Sequence, residues 1–408
     1  VVSELGDVDT KFHVAVVLPA EERFDGTGGA VATWVREVYS RYQGGAVIFA
    51  PSSTNAFAGN LRLSKAGYYK LYDRSVRGLA MMLHSVLGRT WWELYVHALV
   101  SGKPWIRSLA PKLRRFEVVH IHNRPSYVIE LRELKYQGRI ILHMHNDLAD
   151  YVKPKDFAGL LSCVDSFVFC SQYLASKAEA DFGPMPYAVI YNGVDIGMTT
   201  VLPHAQRAAL SLVFAGRIVP TKGADLAAEV CIRLNERGFP STLNIFGGTS
   251  SGSVSPPTPY WRALAEKTVG ANSRFGRQVI KLHGPVSHSE ILKALGENAY
   301  FVYPCQWQEP FGMVVVEALA AGAFPVVSNV GGIPEIVTHG VDGILVDDFL
   351  DVEAFVSAII ELLPNDTVVW AERVQGRGMM TAQDRFSWDA VVHQLERVLS
   401  QWHEHRAR

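Results

Sequence analysis

The sequence predicts two doubly wound α/β domains, and three observations predict it. Short β-branched apolar runs alternate with longer helical patterns along the chain. Those runs are continuously apolar, as strands are in parallel sheets covered on both faces. The alternation lapses around "DIGMTTVLPHAQRAA" (195–209) and then restarts. A chain of 408 residues also exceeds one ordinary core.

Taken in order, "FHVAVVLP" (12–19) reads as the first strand and "VATWVREVYSRY" (31–42) as the helix after it. "AVIFAP" (46–51), "EVVHIH" (117–122), "RIILHMH" (139–145) and "SFVFCS" (166–171) supply further strands of the first domain. The second domain restarts at "LSLVFAGR" (210–217). It continues through "STLNIFGG" (241–248), "VIKLHG" (279–284), "AYFVYP" (299–304) and "FPVVSN" (324–329). The pattern places a junction near residue 200. A last helix, "SWDAVVHQLERVLSQWHEH" (387–405), fits against either domain. "SSGSVSPPTP" (250–259) is a Ser/Pro-rich loop at a strand end, where a surface insertion and a functional lid are both open readings.

Composition excludes several classes. Hydrophobic residues are 48% and charged residues 19%, the balance of a globular protein and not of a disordered one. Residues 1–195 carry 22 Lys and Arg against 19 Asp and Glu, and the remainder 17 against 21. The formal net charge of the whole chain is -1, so it has no nucleic-acid footprint. No apolar stretch approaches the roughly 20 residues of a membrane span, and no signal-peptide pattern opens the sequence. Cys163, Cys170, Cys231 and Cys305 form no C-x-x-C pair and read as reduced thiols. The expectation is a soluble cytoplasmic protein that touches a membrane at most at its surface.

Four stretches carry chemistry. "DGTGGA" (25–30) lies between the first strand and its helix, where glycines let backbone N–H groups approach a phosphate. The dinucleotide fingerprint is incomplete, because Val31 stands where a third glycine belongs and no acid follows the second strand. A simple turn also accounts for these glycines. "FAGRIVPTKGAD" (214–225) puts Arg217 at a strand's C-terminal end and Lys222 just before a helix, a clamp for a diphosphate or two surface cations.

"EPFGMVVVEALAAG" (309–322) carries Glu309 in a loop and Glu317 inside an apolar helix starting near Gly312. A carboxylate in such surroundings needs a bonding partner. A ligand is the expected partner, since an acceptor-only carboxylate suits two ribose hydroxyls. "NVGGIPEIV" (329–337) repeats the device of glycines, proline and an acid, Glu335. The last stretch is a histidine set, His120, His122, His143 and His145, paired on the faces of two strand ends. A metal cluster is one reading. No Asp, Glu or Cys pattern completes it, so the expectation is hydrogen-bonding histidines and no metal.

With these stretches in hand, the chain resembles the retaining glycosyltransferases of family 4, which have the GT-B fold of two Rossmann-like domains facing across a cleft. The resemblance rests on the E-x7-E pattern of Glu309 and Glu317, on "EALAAGAFPVVSNVGGIPEIV", on "FAGRIVPTKG" and on "VIYNGVD" (189–195). It implies an N-terminal, acceptor-side domain of residues 1–198 plus about 388–408. It also implies a C-terminal, nucleotide-sugar domain of residues 199–387. By resemblance, Arg217 and Lys222 hold the donor diphosphate, Glu317 holds the ribose, and Glu309 with Phe311, Gly312 and Met313 holds the transferred sugar. Gly28 and Gly29 approach the diphosphate from the first domain, and His145 lies beside the reacting sugar carbon.

The implied reaction moves a hexose or N-acetylhexosamine from a nucleoside-diphosphate sugar, UDP favoured, to a hydroxyl of a glycan or lipid-linked acceptor. Such reactions build polysaccharide, lipopolysaccharide or glycolipid. The substrate is the nucleotide sugar, and no cofactor is expected. GT-A enzymes hold a metal on Asp-x-Asp. The only match here, "DVD" (7–9), precedes the first strand. The acceptor is expected near Asn123, Arg124, Tyr127 and Asn146. "KPWIRSLAPKLRR" (103–115), preceded by "WWELYVHALV" (91–100), is a basic stretch suited to an anionic membrane surface. A nucleotide-sugar epimerase of the same fold, and a catalytically idle sugar-binding or coat protein, are the competing readings.

Overall fold

The computed structural model describes residues 13–22, 24, 29–50, 61–64, 103–197, 202, 210–249, 258–363 and 368–404. By backbone packing the chain divides into two compact units. The first is Val1–Ile190 with Val392–Arg408, and the second is Tyr191–Val391.

The first unit holds a seven-stranded sheet in the order β3-β2-β1-β4-β5-β6-β7. Its strands are β1 (Val14–Val17), β2 (Ala46–Phe49), β3 (Leu61–Ser64), β4 (Val118–His122), β5 (Arg139–Met144), β6 (Ser166–Phe169) and β7 (Tyr187–Val189). All neighbouring pairs are parallel, with Val14 opposite both Ala46 and Val118. β1, β2, β4 and β6 are buried at every position, as their continuous apolar runs require. Helices α1 (Ala30–Arg41), α2 (Lys103–Leu113), α3 (Pro125–Glu133), α4 (Pro154–Leu161) and α5 (Gln172–Phe182) connect them. α1 buries Trp34, Val35, Val38 and Tyr39, the one-sided spacing of a helix lying on a sheet.

The second unit holds a six-stranded parallel sheet in the order β10-β9-β8-β11-β12-β13. Its strands are β8 (Ser211–Ala215), β9 (Thr242–Phe246), β10 (Ile280–Gly284), β11 (Tyr300–Tyr303), β12 (Phe324–Ser328) and β13 (Ile344–Val346). Its helices are α6 (Ala224–Glu236), α7 (Pro259–Phe275), α8 (His288–Glu297), α9 (Met313–Ala320), α10 (Val352–Leu362) and α11 (Val368–Phe386). α12 (Trp388–Glu404) buries Trp388, Val391, Val392, Leu395, Val398 and Leu399, a single apolar stripe.

In each sheet the strand order reverses once, between β1 and β4 and between β8 and β11. Right-handed crossovers on either side of that point place helices on opposite faces, which is the doubly wound arrangement. The reversal also splays two loops apart at the C-terminal strand ends, leaving a crevice where ligands bind in such sheets. Three strands escape the sequence pattern: β3, β7 and β13. Each is short and at or near a sheet edge, where no long apolar run is needed. All four cysteines are free thiols.

Candidate active site

The second unit's crevice gathers most of the expected donor residues. β8 ends at Ala215, and the chain turns through Gly216 and Arg217 into a single 3-10 turn, Pro220–Lys222, ahead of α6. Arg217 is exposed, whereas Lys222 is buried. β11 ends at Tyr303 and delivers Cys305, Trp307 and Glu309 to the same crevice.

Here Lys222 and Glu309, expected to hold different parts of a ligand, hold each other. Lys222 Nζ bonds Glu309 Oε2 and lies 5.8 Å from the Tyr303 ring and 5.4 Å from the Trp307 ring. The same oxygen accepts the Tyr303 hydroxyl at 3.2 Å, Trp307 Nε1 at 3.2 Å and the Cys305 thiol at 3.6 Å. Burial first, and then the charge of Glu309, pushes Tyr303 well above its usual range. The same causes push Cys305 up to about 12. Both therefore stay protonated and donate to a carboxylate that would otherwise be costly to bury.

α9 starts directly behind this loop. Gly312 is its N-cap with φ of 110°, a left-handed conformation that favours glycine, and no side chain caps the helix there. Its first N–H groups present the positive end of the helix to the loop carrying Glu309. Met313 is its first residue. Phe311 is buried, its ring 5.7 Å from Tyr191 and 5.8 Å from Phe386. Glu317 sits in the helix at 9% exposure. The sequence left its partner to a ligand. The chain itself supplies one, because His288 Nε2 stands 2.9 Å from Glu317 Oε1.

That hydrogen bond, more than the accompanying charge attraction, raises the His288 pKa. His288 opens α8 behind a capping box in which Ser287 and Glu290 cap each other. Glu335 lies in a 3-10 turn, Ile333–Glu335, and its carbonyl accepts from Arg385 at 2.7 Å.

In the first unit, Gly28 lies outside the described residues. Gly29 is the N-cap of α1, and its N–H donates to Glu22 Oε1 at 3.0 Å. A carboxylate of the chain thus occupies the helix terminus where a diphosphate is expected. Burial outweighs the hydrogen bonds and raises the Glu22 pKa.

The four histidines do converge. His120, His122 and His143 are fully buried and His145 is 7% exposed. They pack against Trp34, whose ring centroid lies 4.7 Å from that of His143. His120 Nδ1 meets the Tyr39 hydroxyl at 2.5 Å, and His122 Nδ1 meets His145 Nε2 at 3.0 Å. Burial lowers His120 to about 3. His122 and His143 lie well below the usual histidine value for the same reason, reinforced by neighbouring rings. Asn123 accepts the His145 N–H at 2.7 Å, so the expected catalytic histidine is held by both backbone and ring.

The expected acceptor residues divide. Asn146 is exposed and donates to the Tyr151 hydroxyl at 3.0 Å. Asn123 and Arg124 are buried at the end of β4, with Arg124 paired to Glu21 and donating to the Asn123 carbonyl at 2.7 Å. Tyr127 is fully buried, and its hydroxyl accepts the Ala20 N–H at 3.1 Å. It packs in the core and joins α3 to the β1 loop.

The basic stretch is also altered by its partners. Lys103, at 3.4 Å, and Arg107 pair with Glu130, which is 1% exposed. Two of its five cations thus neutralise an acid beneath them. Residues 91–100 lie outside the described residues. No helix among the described residues is long and apolar enough to cross a membrane.

Comparison with known proteins agrees with this geometry. The family profile "Glycosyl transferases group 1" matches residues 208–375, and "Glycosyltransferase Family 4" matches residues 81–197. Spore coat protein SA of Bacillus subtilis is 28% identical over 305 residues, covering 70% of this chain and 78% of that protein. The lipopolysaccharide 1,2-N-acetylglucosaminetransferase of Salmonella typhimurium is 22% identical over 294 residues, covering 70% and 73%. Among solved structures, Anabaena HepE in complex with UDP and glucose superposes with a TM-score of 0.65 at 15% identity, covering 95% of this chain and 99% of that one. Trehalose 6-phosphate synthase from Burkholderia multivorans gives 0.70 at 14%, covering 97% and 98%. Two parallel doubly wound sheets, a Glu309–Lys222 crevice at the second switch point and these likenesses converge: the chain belongs to glycosyltransferase family 4, with the GT-B fold, and is a nucleotide-sugar glycosyltransferase.

Proposed function

We propose that the chain transfers a hexose or N-acetylhexosamine from a UDP-sugar to a hydroxyl of a glycan or lipid-linked acceptor, keeping the anomeric configuration. The observation that carries this reading is the convergence of Arg217, Lys222 and the uncapped start of α9 on one switch-point crevice. As the glycosidic bond breaks, the leaving diphosphate gains negative charge, and preorganised positive groups stabilise it. Lys222, released from Glu309, and exposed Arg217 supply cations, and the α9 N–H groups supply dipoles. On this reading the transfer step needs no metal. Among the described residues the hydrogen bonds to Glu309 fall on Oε2, which leaves Oε1 as the oxygen offered to sugar hydroxyls. Glu317 receives the ribose and exchanges part of its bond with His288.

Retention through two carboxylates requires a second acid poised as nucleophile. Glu309 is engaged by four donors and Glu317 lies in the helix, so front-face departure and attack, with the leaving phosphate as base, fits the residues better. His145 remains the group proposed beside the reacting carbon. UDP is supported by the solved relative that holds UDP with glucose. We place the protein in the cytoplasm at the inner face of the membrane, with the basic stretch 103–115 as the contact. Failure to sediment with anionic vesicles at low salt removes that placement.

The test is an incubation with UDP-hexoses and UDP-N-acetylhexosamines, each with and without a hydroxyl acceptor. Acceptor-dependent release of UDP with an unchanged anomeric configuration is expected, in excess chelator as well. Restoration of chelator-lost activity by Mg2+ or Mn2+ counts against metal-free transfer. Conversion of donor without acceptor would mark an epimerase. Donor binding with no turnover would mark an idle sugar-binding protein, the reading that the spore-coat relative keeps in view.

A further inference from the structure

The histidine cluster leaves a chemical imbalance that hydrogen bonding does not resolve. His120 Nε2, His122 Nε2 and both ring nitrogens of His143 are buried with no hydrogen-bond partner among the described residues. Leaving a buried polar atom unsatisfied is costly, and these four lie together. One ring nitrogen from each of these three residues lies within 4.8 Å of the other two.

The remaining bonds fit one set of tautomers. His120 Nδ1 meets the Tyr39 hydroxyl, and His122 Nδ1 meets His145 Nε2. With the proton on each Nδ1, both Nε2 atoms carry lone pairs that face no donor. Ligating histidines have this arrangement: the far nitrogen donates to an outer group, which fixes the ring and raises the basicity of the near one.

We propose that His120, His122 and His143 form a buried site for one transition-metal ion of the zinc class, with Tyr39 and His145 as the outer partners. Imidazole suits zinc, copper and nickel and does not select magnesium or calcium. Tetrahedral Zn–N bonds of about 2.0–2.1 Å set the nitrogens about 3.4 Å apart, so a ring shift of about 1 Å closes the set around an ion. The opposing term is the cost of burying a divalent charge with no carboxylate ligand. The ion would brace the ends of β4 and β5 and, through the His122–His145 bond, fix the ring of His145.

The ion takes no part in the transfer itself, and the two proposals fail separately: a hard ion such as Mg2+ tests the reaction, a borderline ion tests this site. Full-length protein is expressed with added Zn2+ or Co2+ and its metal content measured by atomic emission. The expected result is about one ion per chain, with a four-coordinate visible absorption band for the cobalt form and a higher melting temperature than metal-free protein. His143→Gln and His120→Gln, each checked for native circular dichroism, should each lose the ion and the band. Wild-type protein carrying no stoichiometric ion overturns the proposal whether or not the variants fold. So does equal retention of the ion by folded His143→Gln and His120→Gln, which would assign it to another place.

Discussion

Gly331→Ala should disable the site through the backbone alone. Gly331 has φ of +58°, and a Cβ there would lie 2.1 Å from the Glu309 carbonyl oxygen and 2.6 Å from the Glu309 nitrogen. Left-handed backbone costs a non-glycine residue about 1–2 kcal/mol. Overpacking adds about 1–3 kcal/mol, so the expected loss of stability is roughly 2–5 kcal/mol. Relief requires the Glu309 backbone to retreat by about 1 Å, a displacement that costs on the order of 100-fold in turnover. The segment is also pinned from the other side, because Gly332 N–H donates to the Glu309 carbonyl at 2.8 Å.

Gly340→Ala is the control: its φ is +75° with no atom within 4 Å of a Cβ, so it carries the strain without the clash. Urea denaturation and initial rates on both variants separate the two costs. If Gly331→Ala matches Gly340→Ala in stability and keeps wild-type turnover, the loop is not what positions Glu309.

Lys222→Ala should cost about 3–5 kcal/mol by stranding Glu309 in a buried site, and the Lys222→Ala/Glu309→Ala double variant should recover part of it; strictly additive losses by denaturation would refute the pairing. Arg217→Ala, at an exposed position, should leave stability within about 0.5 kcal/mol while lowering turnover roughly 100- to 1,000-fold; near-normal kinetics would remove Arg217 from the donor site. The His288–Glu317 bond gives a pH signature. Because the folded pKa of His288 is raised above its unfolded value, its stabilisation is complete below about pH 6.5 and fades as pH rises through the raised value. Donor nucleotide, competing for Glu317, should therefore bind more tightly over that same rise, and His288→Ala should flatten the dependence. Calorimetric titrations at several pH values that coincide for the two proteins would contradict this.

Most of the sheet strands were legible because a parallel strand buried on both faces leaves an uninterrupted apolar run, as at Val14–Val17 and Tyr300–Tyr303. β7, with Tyr187 to Val189 only half buried, and β13 are three residues each, too short to stand out. The crevice was legible where neighbouring residues carry it, as with Gly312 opening α9. It was illegible where partners are distant in sequence. Lys222 and Glu309 are 87 residues apart, and His288 and Glu317 are 29 apart. Nothing local to Glu317 announces His288; only the S-x-x-E capping box marks the helix that bears it. The alternation of His120 with His122 was plain in the sequence. That Tyr39 and His145 engage the Nδ1 atoms, leaving the Nε2 atoms bare, is a fact of packing alone.

The central claim is that the switch-point crevice of the second unit holds the activated sugar. A crystal structure of the full chain soaked with UDP tests it most directly. The diphosphate should lie against Arg217, Lys222 and the start of α9, with the ribose on Glu317. UDP bound away from the C-terminal ends of β8 and β11 would contradict it.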